Sequence, residues 1–438
     1  MKSFKIVAVV GLSLLALAGC AEEEFILPGE REDVVTDLDR ATDASENKSA
    51  PIRLSSQVNH TVWSHRAGTA THSIQHPAFT GPASLVWSAS IGQGNDRRHR
   101  ITADPVAANG RIFTLDSRAT VAATATNGAA VWSRDLTPSF DKPDDASGGG
   151  LAVVDGVLYV TTGFGQLFAL NAATGETIWL KRLDGAATGA PTVSRGIVYI
   201  VTRNGTAWAL DTSNGLIRWQ LDSASSFTGV VGGSAPAVNN QIVVFPFSTT
   251  QITAAFRKDG FQVWNSAAAG DRVGSVYARI SDITGDPVMR SGRTYVGNPS
   301  GRMISLDSEN GDRLWTAGVG AVSTPWVDGG SVFVVSDLSE VVRLNENTGE
   351  RIWSTQLPDY VPKKKVKRRR DFYVHFGPVL AGGQLWVASS DEKLRSFDPV
   401  DGTMTSVMEL PDGASTRPIV VGGVMYVVNT KGQLLAFR

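Results

Sequence analysis

Histidine spacing is the first hint of chemistry in this 438-residue chain. His72-Ser-Ile-Gln-His76 has the i,i+4 separation that aligns two imidazoles on one helix face, as in many zinc sites, and His60 and His65 stand nearby. The flanking residues show no helical apolar period, and no carboxylate lies in the segment to complete a ligand set. An N-terminal strap laid over a folded body is therefore expected, without a metal. The chain has six His and a single Cys, Cys20. One thiol excludes an internal disulfide and any site built from several thiolates. Gly148-Gly149-Gly150 is not followed by a helix that would make it a phosphate cradle, and reads as the start of a strand. No Gly-x-Ser-x-Gly elbow, P-loop or His-Glu-x-x-His motif occurs. These residues predict neither catalysis nor a cofactor.

Cys20 suggests a different chemistry. Lys2 and Lys5 precede an apolar run, residues 6–18, that is too short to span a bilayer as a mature helix. Leu17-Ala18-Gly19-Cys20 resembles the lipobox of bacterial lipoproteins. The resemblance implies that residues 1–19 are a signal peptide and that Cys20 is acylated on its thiol and its new amino group. Three acyl chains give stable anchoring, which one chain does not. Ala21, where Asp would signal inner-membrane retention, implies the outer membrane, with the protein facing the periplasm. Residues 21–50 hold ten acidic and three basic residues and few apolar ones. Residues 20–60 are thus expected to be the lipidated Cys and a flexible acidic tether, and 61–438 the folded domain.

Overall charge is balanced, 41 Lys+Arg against 42 Asp+Glu, which argues against a nucleic-acid binder. One segment departs from that balance. Lys363, Lys364, Lys365, Lys367, Arg368, Arg369 and Arg370 surround only Val366. In an exported protein this reads as an electrostatic contact loop for anionic lipid headgroups or an acidic partner.

The elements that must carry these residues come from an internal repeat. Residues 165–179, 205–219 and 301–315 share the pattern Leu-Asn/Asp-x-x-Thr/Asn-Gly-x-x-x-Trp. Related copies end at Trp132, Trp264 and Trp353, and Trp87 ends a half-copy. The tryptophans recur about every 44 residues, a propeller-blade period. Upstream of each copy two apolar strands flank a tight turn: Asn109-Gly110, Asp155-Gly156, Arg195-Gly196, Asn239-Asn240, Ser291-Gly292, Gly329-Gly330, Gly382-Gly383 and Gly422-Gly423. Eight hairpins predict an all-β, eight-bladed β-propeller of four-stranded antiparallel blades. The lone strand at Leu85-Val86-Trp87 would complete the last blade and close the ring.

The repeat resembles the quinoprotein (PQQ-type) propeller repeat, shared by quinoprotein dehydrogenases and by the BamB family of outer-membrane β-barrel assembly lipoproteins. The dehydrogenases carry a vicinal disulfide under the cofactor, which this chain cannot form. The BamB resemblance covers most of the chain. Its most specific matches are Gly233-Ser234-Ala235-Pro236 and Arg279-Ile280-Ser281-Asp282. It implies a non-catalytic scaffold in the β-barrel assembly complex. Such a scaffold would bind the periplasmic POTRA region of a BamA-like insertase, other Bam subunits and nascent outer-membrane β-barrel proteins. Carried over by position, the partner-binding residues are Thr228, Val230 and Val231 in one loop, and Arg279, Asp282 and Thr284 in the next. Val231 stands where the family pattern has Arg, and Thr284 where it has a second Asp, so the charge pairing must differ. A quinoprotein-like ligand-binding or dehydrogenase propeller, or an envelope scaffold with another partner, are the competing expectations.

Overall fold

The computed structural model describes residues 46–81, 84–187, 189–224, 232–270, 272, 282–362 and 371–438. The expected signal peptide, Cys20, most of the tether, Thr228, Val230, Val231, Arg279 and the cationic segment 363–370 lie outside the described residues.

Eight four-stranded antiparallel sheets form the blades of a propeller. Blades 1 to 7 span residues 106–135, 149–182, 192–222, 237–267, 285–317, 326–356 and 375–409. Blade 8 combines residues 419–437 with Leu85–Ser90, which pairs antiparallel with Gln433–Phe437. Two further bonds join Ser84 and Arg438, at 2.8 and 3.0 Å. The ring is therefore closed by the ends of its own chain, as the repeat count predicts, and no blade is left with an unfilled edge position.

Local rules account for the blade. Seven of the eight inner hairpins place both turn residues at positive φ, for example Asn109 at 52° and Gly110 at 71°. That is the type I′ geometry whose twist matches paired strands. Blade 4 differs from the expected Asn239-Asn240 turn. Val238 pairs with Val243 and Asn239 N donates to Ile242 O at 3.0 Å, so the turn residues are Asn240 and Gln241, neither at positive φ, and Asn239 Oδ1 accepts from the amides of both Gln241 and Ile242 at 2.8 Å. The Asx-x-x-x-Gly turns are equally local. In blade 2, Asn171 Oδ1 accepts from Ala173 N at 2.8 Å, and Gly175 N donates to Asn171 O at 2.8 Å.

The tryptophans work between blades. Each ring lies against the turn glycine of the following blade and donates its Nε1–H to a carbonyl there: Trp87 to Thr126, Trp132 to Ala172, Trp179 to Thr212, Trp264 to Ser308 and Trp353 to Pro399. A Cβ on Gly215 would meet Trp179 at 2.7 Å, so only glycine lets the ring seat this closely. Blade 7 has no such Trp. The corresponding turn of blade 8 is the break between Arg438 and Ser84, so there is no glycine turn to cover. Apolar side chains fill the seams between sheets, as where Tyr295 and Met303 of blade 5 pack with Val332, Val334 and Leu344 of blade 6.

Strand alternation gives the ring two faces. Inner hairpins and Asx turns share one face, and the links between blades share the other.

Candidate partner-binding site

Of the carried-over partner residues, Asp282 and Thr284 are described. Both belong to the link between blades 4 and 5, on the face of inter-blade connections. Asp282 is nearly buried and its Oδ1 accepts from Ile283 N at 3.0 Å. It lines a small groove with Gly233, Ser234, Thr202, Arg203, Pro246 and Ser248. The two sequence segments singled out by resemblance, 233–236 and 279–282, thus meet at one site through Ser234 and Asp282. Thr284 does not join it in the same way, since its hydroxyl donates to Ala321 O at 2.6 Å and ties the link to the next one.

The opposite face is closed by the strap that the histidines predict. Residues 58–78 form a loop whose ends meet as a parallel bridge between Val58 and Pro77. The loop touches the inner strands in ring order. Gly422 N donates to His60 O, Ala107 N to Trp63 O, Val153 N to Ser64 O, Val238 N to Ala70 O and Met289 N to Thr71 O, all at 2.8–2.9 Å. His65 Nε2 accepts from Val193 N at 3.0 Å, and His76 Nε2 from Gly383 N at 2.9 Å. Ser55 bonds the buried Asp328 carboxylate through its amide at 2.8 Å and its hydroxyl at 2.6 Å. All eight blades are engaged. Burial lowers the pKa of His65 to about 3, aided by nearby His72, and burial lowers His72 as well. Both rings are neutral at pH 7. Residues 46–60 are part of this packing and not of the tether to which composition assigns them. Lys48 N donates to Ile352 O at 2.9 Å, and Asn47 exchanges bonds with Ser354 at 2.8 and 2.9 Å.

From the strap, Arg66 enters the axial channel. Its Nε lies 3.2 Å from Asp104 Oδ2 and 3.3 Å from Asp286 Oδ2, and Nη1 donates to Gly233 O at 2.8 Å. Asp104 leads into blade 1 and Asp286 lies in blade 5, on opposite sides of an eight-membered ring, so the guanidinium that reaches both sits on the axis. Asp286 also accepts from Ser234 Oγ and Ala235 N at 2.8 Å, and from Thr324 Oγ1. Arg417 completes the network, 3.7 Å from Asp104. Burial raises the pKa of Asp286, but Arg66 and its neighbours more than offset this, holding it at about 2. Two Arg and two Asp thus neutralise one another in the channel. A quinone on the axis would displace four paired charges, so these residues do not fit the cofactor that the repeat brings to mind. Among the described residues no cluster of three or more His, Cys, Asp or Glu could hold a metal ion.

Sequence reasoning missed this network. Arg66 and Asp286 are 220 positions apart, and neither lies in a motif. The nearest signal was Ser234, already part of a segment singled out by resemblance, which bonds Asp286.

Closed ring, Trp-glycine seams and a link-face groove define the class: an eight-bladed propeller of the quinoprotein-type repeat with a candidate protein-binding rim. The family model described as outer membrane protein assembly factor BamB matches residues 116–355, more than half of the chain, and the chain belongs to that family. It is 27% identical over 358 residues to the outer membrane protein assembly factor BamB of Salmonella typhimurium, covering 81% of this chain and 88% of that one. Among solved structures it is similar to BamB from Moraxella catarrhalis, with TM-score 0.67 and 19% identity over 81% of this chain and 99% of that one. It is also similar in fold to a europium-containing methanol dehydrogenase, with TM-score 0.64 and 13% identity over 84% of this chain and 89% of that one.

Proposed function

We propose that this chain is a non-catalytic scaffold subunit of the machinery that assembles outer-membrane β-barrels. It docks its link face on the periplasmic POTRA region of a BamA-like insertase, beside other Bam subunits. Residues 1–19 are removed and acylated Cys20 holds the propeller at the periplasmic face of the outer membrane. The observation that carries this reading is the groove that brings Ser234 and Asp282 together, because the segments around them resemble the family's partner loops. Thr228, Val230, Val231, Arg279 and Thr284 belong to the same two links. The rim of a rigid ring is a good place for such contacts, since loops vary while the scaffold holds them in register. Nascent barrel strands are the second class of partner. The fourth strands expose alternating apolar side chains such as Ile178 and Leu180 at the blade edges, where β-strand addition takes place.

The test is affinity purification of the tagged chain from detergent-solubilised outer membranes, followed by mass spectrometry. Recovery of the insertase, lost on combined substitution of Val230, Val231 and Asp282, supports both the function and the surface. Recovery that ignores the substitution retains the function and refutes the surface. If another envelope protein dominates, the partner assignment fails. Acylation is read separately, by loss of labelled palmitate in Cys20→Ser.

A further inference from the structure

The groove at Ser234 and Asp282 is held from inside the ring. Gly233 and Ser234 are half-buried in its wall, and Ala235 behind them is fully buried. The ladder of blade 4 begins only at Ala237, which pairs with Val244, so other groups must satisfy this turn. Gly233 O accepts from Arg66 Nη1 at 2.8 Å. Ser234 Oγ and Ala235 N both donate to Asp286 Oδ1 at 2.8 Å. Asp286 stands four residues after Asp282, in Gly285–Arg290, the first strand of blade 5. One buried carboxylate therefore ties the Ser234 wall to the segment that supplies Asp282. Arg66 Nε lies 3.3 Å from Asp286 Oδ2, and Thr324 Oγ1 donates to the same oxygen. Arg66 does not line the groove and comes from the strap on the opposite face.

We propose that Arg66 and Asp286 are positioning residues for the groove: the strap's guanidinium, reaching through the axis, fixes the spacing of its Ser234 and Asp282 walls. Hydrogen bonds with an ionised partner are roughly twice as strong as neutral ones, so the paired charges hold the turn more tightly than neutral groups would. A groove whose walls are ordered before docking spares the complex that ordering entropy, which raises affinity without a new contact. The strap thereby seals one face and shapes the binding surface of the other. This deepens the reading that the groove docks a protein, and rests on it. Charge pairing alone would make Arg66 a stability contact. Arg66→Met combined with Asp286→Asn separates the two roles. Both charges leave together and none is orphaned, so the strap is restored, yet Gly233 O still lacks its donor.

Amide exchange on the full chain in detergent reads the positioning, and insertase capture from solubilised outer membranes reads its use. In Arg66→Met and in the double variant, the Ala235 amide should exchange about tenfold faster, the effect of losing one bond to a charged group. The chain concentration for half-maximal capture should rise by about the same factor. In the double variant the strap-bonded amides of Val193 and Gly422 return toward wild type while Ala235 does not. His76→Ala is the control. It removes strap bonds to Ser55 and Gly383 at blade 7 and should speed exchange at Gly382, which bonds Pro77 O, with Ala235 within about twofold of wild type. Ala235 protection that follows the strap amides through all variants overturns the proposal, and so does capture unchanged by a loosened Ala235. If the wild type captures no insertase, the docking reading fails and the Ala235 pattern alone decides whether the axis sets the groove.

Discussion

Arg66→Met tests the axial network most directly. The substitution keeps the length and apolar stem of the side chain and removes its charge. Asp286 is fully buried and then keeps only neutral donors and the more distant Arg417. Removing one partner of a buried ion pair costs about 3–5 kcal/mol, because the remaining charge stays desolvated. Arg66 is 20% exposed and Arg417 persists, which places the expectation at the lower end, about 3 kcal/mol. Arg66 belongs to the strap, so the loss should fall on strap opening. Native-state amide exchange reads this at Val193, Val238, Met289 and Gly422, whose donors are satisfied by strap atoms. At 1.36 kcal/mol per decade, these amides should exchange about a hundredfold faster, while third-strand amides such as Val342, which no strap atom touches, change little. Adding Asp286→Asn should restore much of the protection, since the orphaned charge is the cause. Strap amides within about threefold of wild type would refute the reasoning. So would a double variant no better than the single one.

Mild acid should loosen the same strap. His65 titrates at about 3 in the fold against 6.5 when unfolded, because burial disfavours its charged form. The unfolded state therefore binds the extra proton first. The stability contributed by neutral His65 is complete above about pH 6.5 and falls as pH drops toward 3, by about 2 kcal/mol between pH 7 and 5. His72 shifts the same way, and strap-amide exchange against pH should show the slope, reduced in His65→Asn. Two glycines separate backbone strain from seam packing. Gly156→Ala meets nothing within 4 Å and should cost about 1 kcal/mol for its positive φ alone. Gly215→Ala also forces a methyl into Trp179 and should cost about 2 kcal/mol more, read by chemical denaturation.

The blades were legible because their determinants are local. A two-residue turn at positive φ, an Asx side chain bonding the amide two residues on, and a period of Trp residues act within one unit and repeat eight times. Closure followed from counting strands, since Leu85–Ser90 has no partner except the chain's own end. The strap was legible only as a strap. The boundary at residue 60 came from polar, acidic composition, which does not register that Lys48 and Ser55 are held through backbone amides and that Asn47 uses a short amide side chain. The groove was half legible. Resemblance named Ser234 and Asp282 separately, and folding made them neighbours.

Sequence alone thus determined the architecture, the blade seams and the family. Tertiary structure decided what fills the axis, which face the strap seals and which face carries the groove at Ser234 and Asp282. Arg66, Asp104, Asp286 and Arg417 carry no spacing rule, because they come from separate blades and from the strap. They converge only because a closed ring brings opposite blades to one axis, where burial requires every charge to be paired.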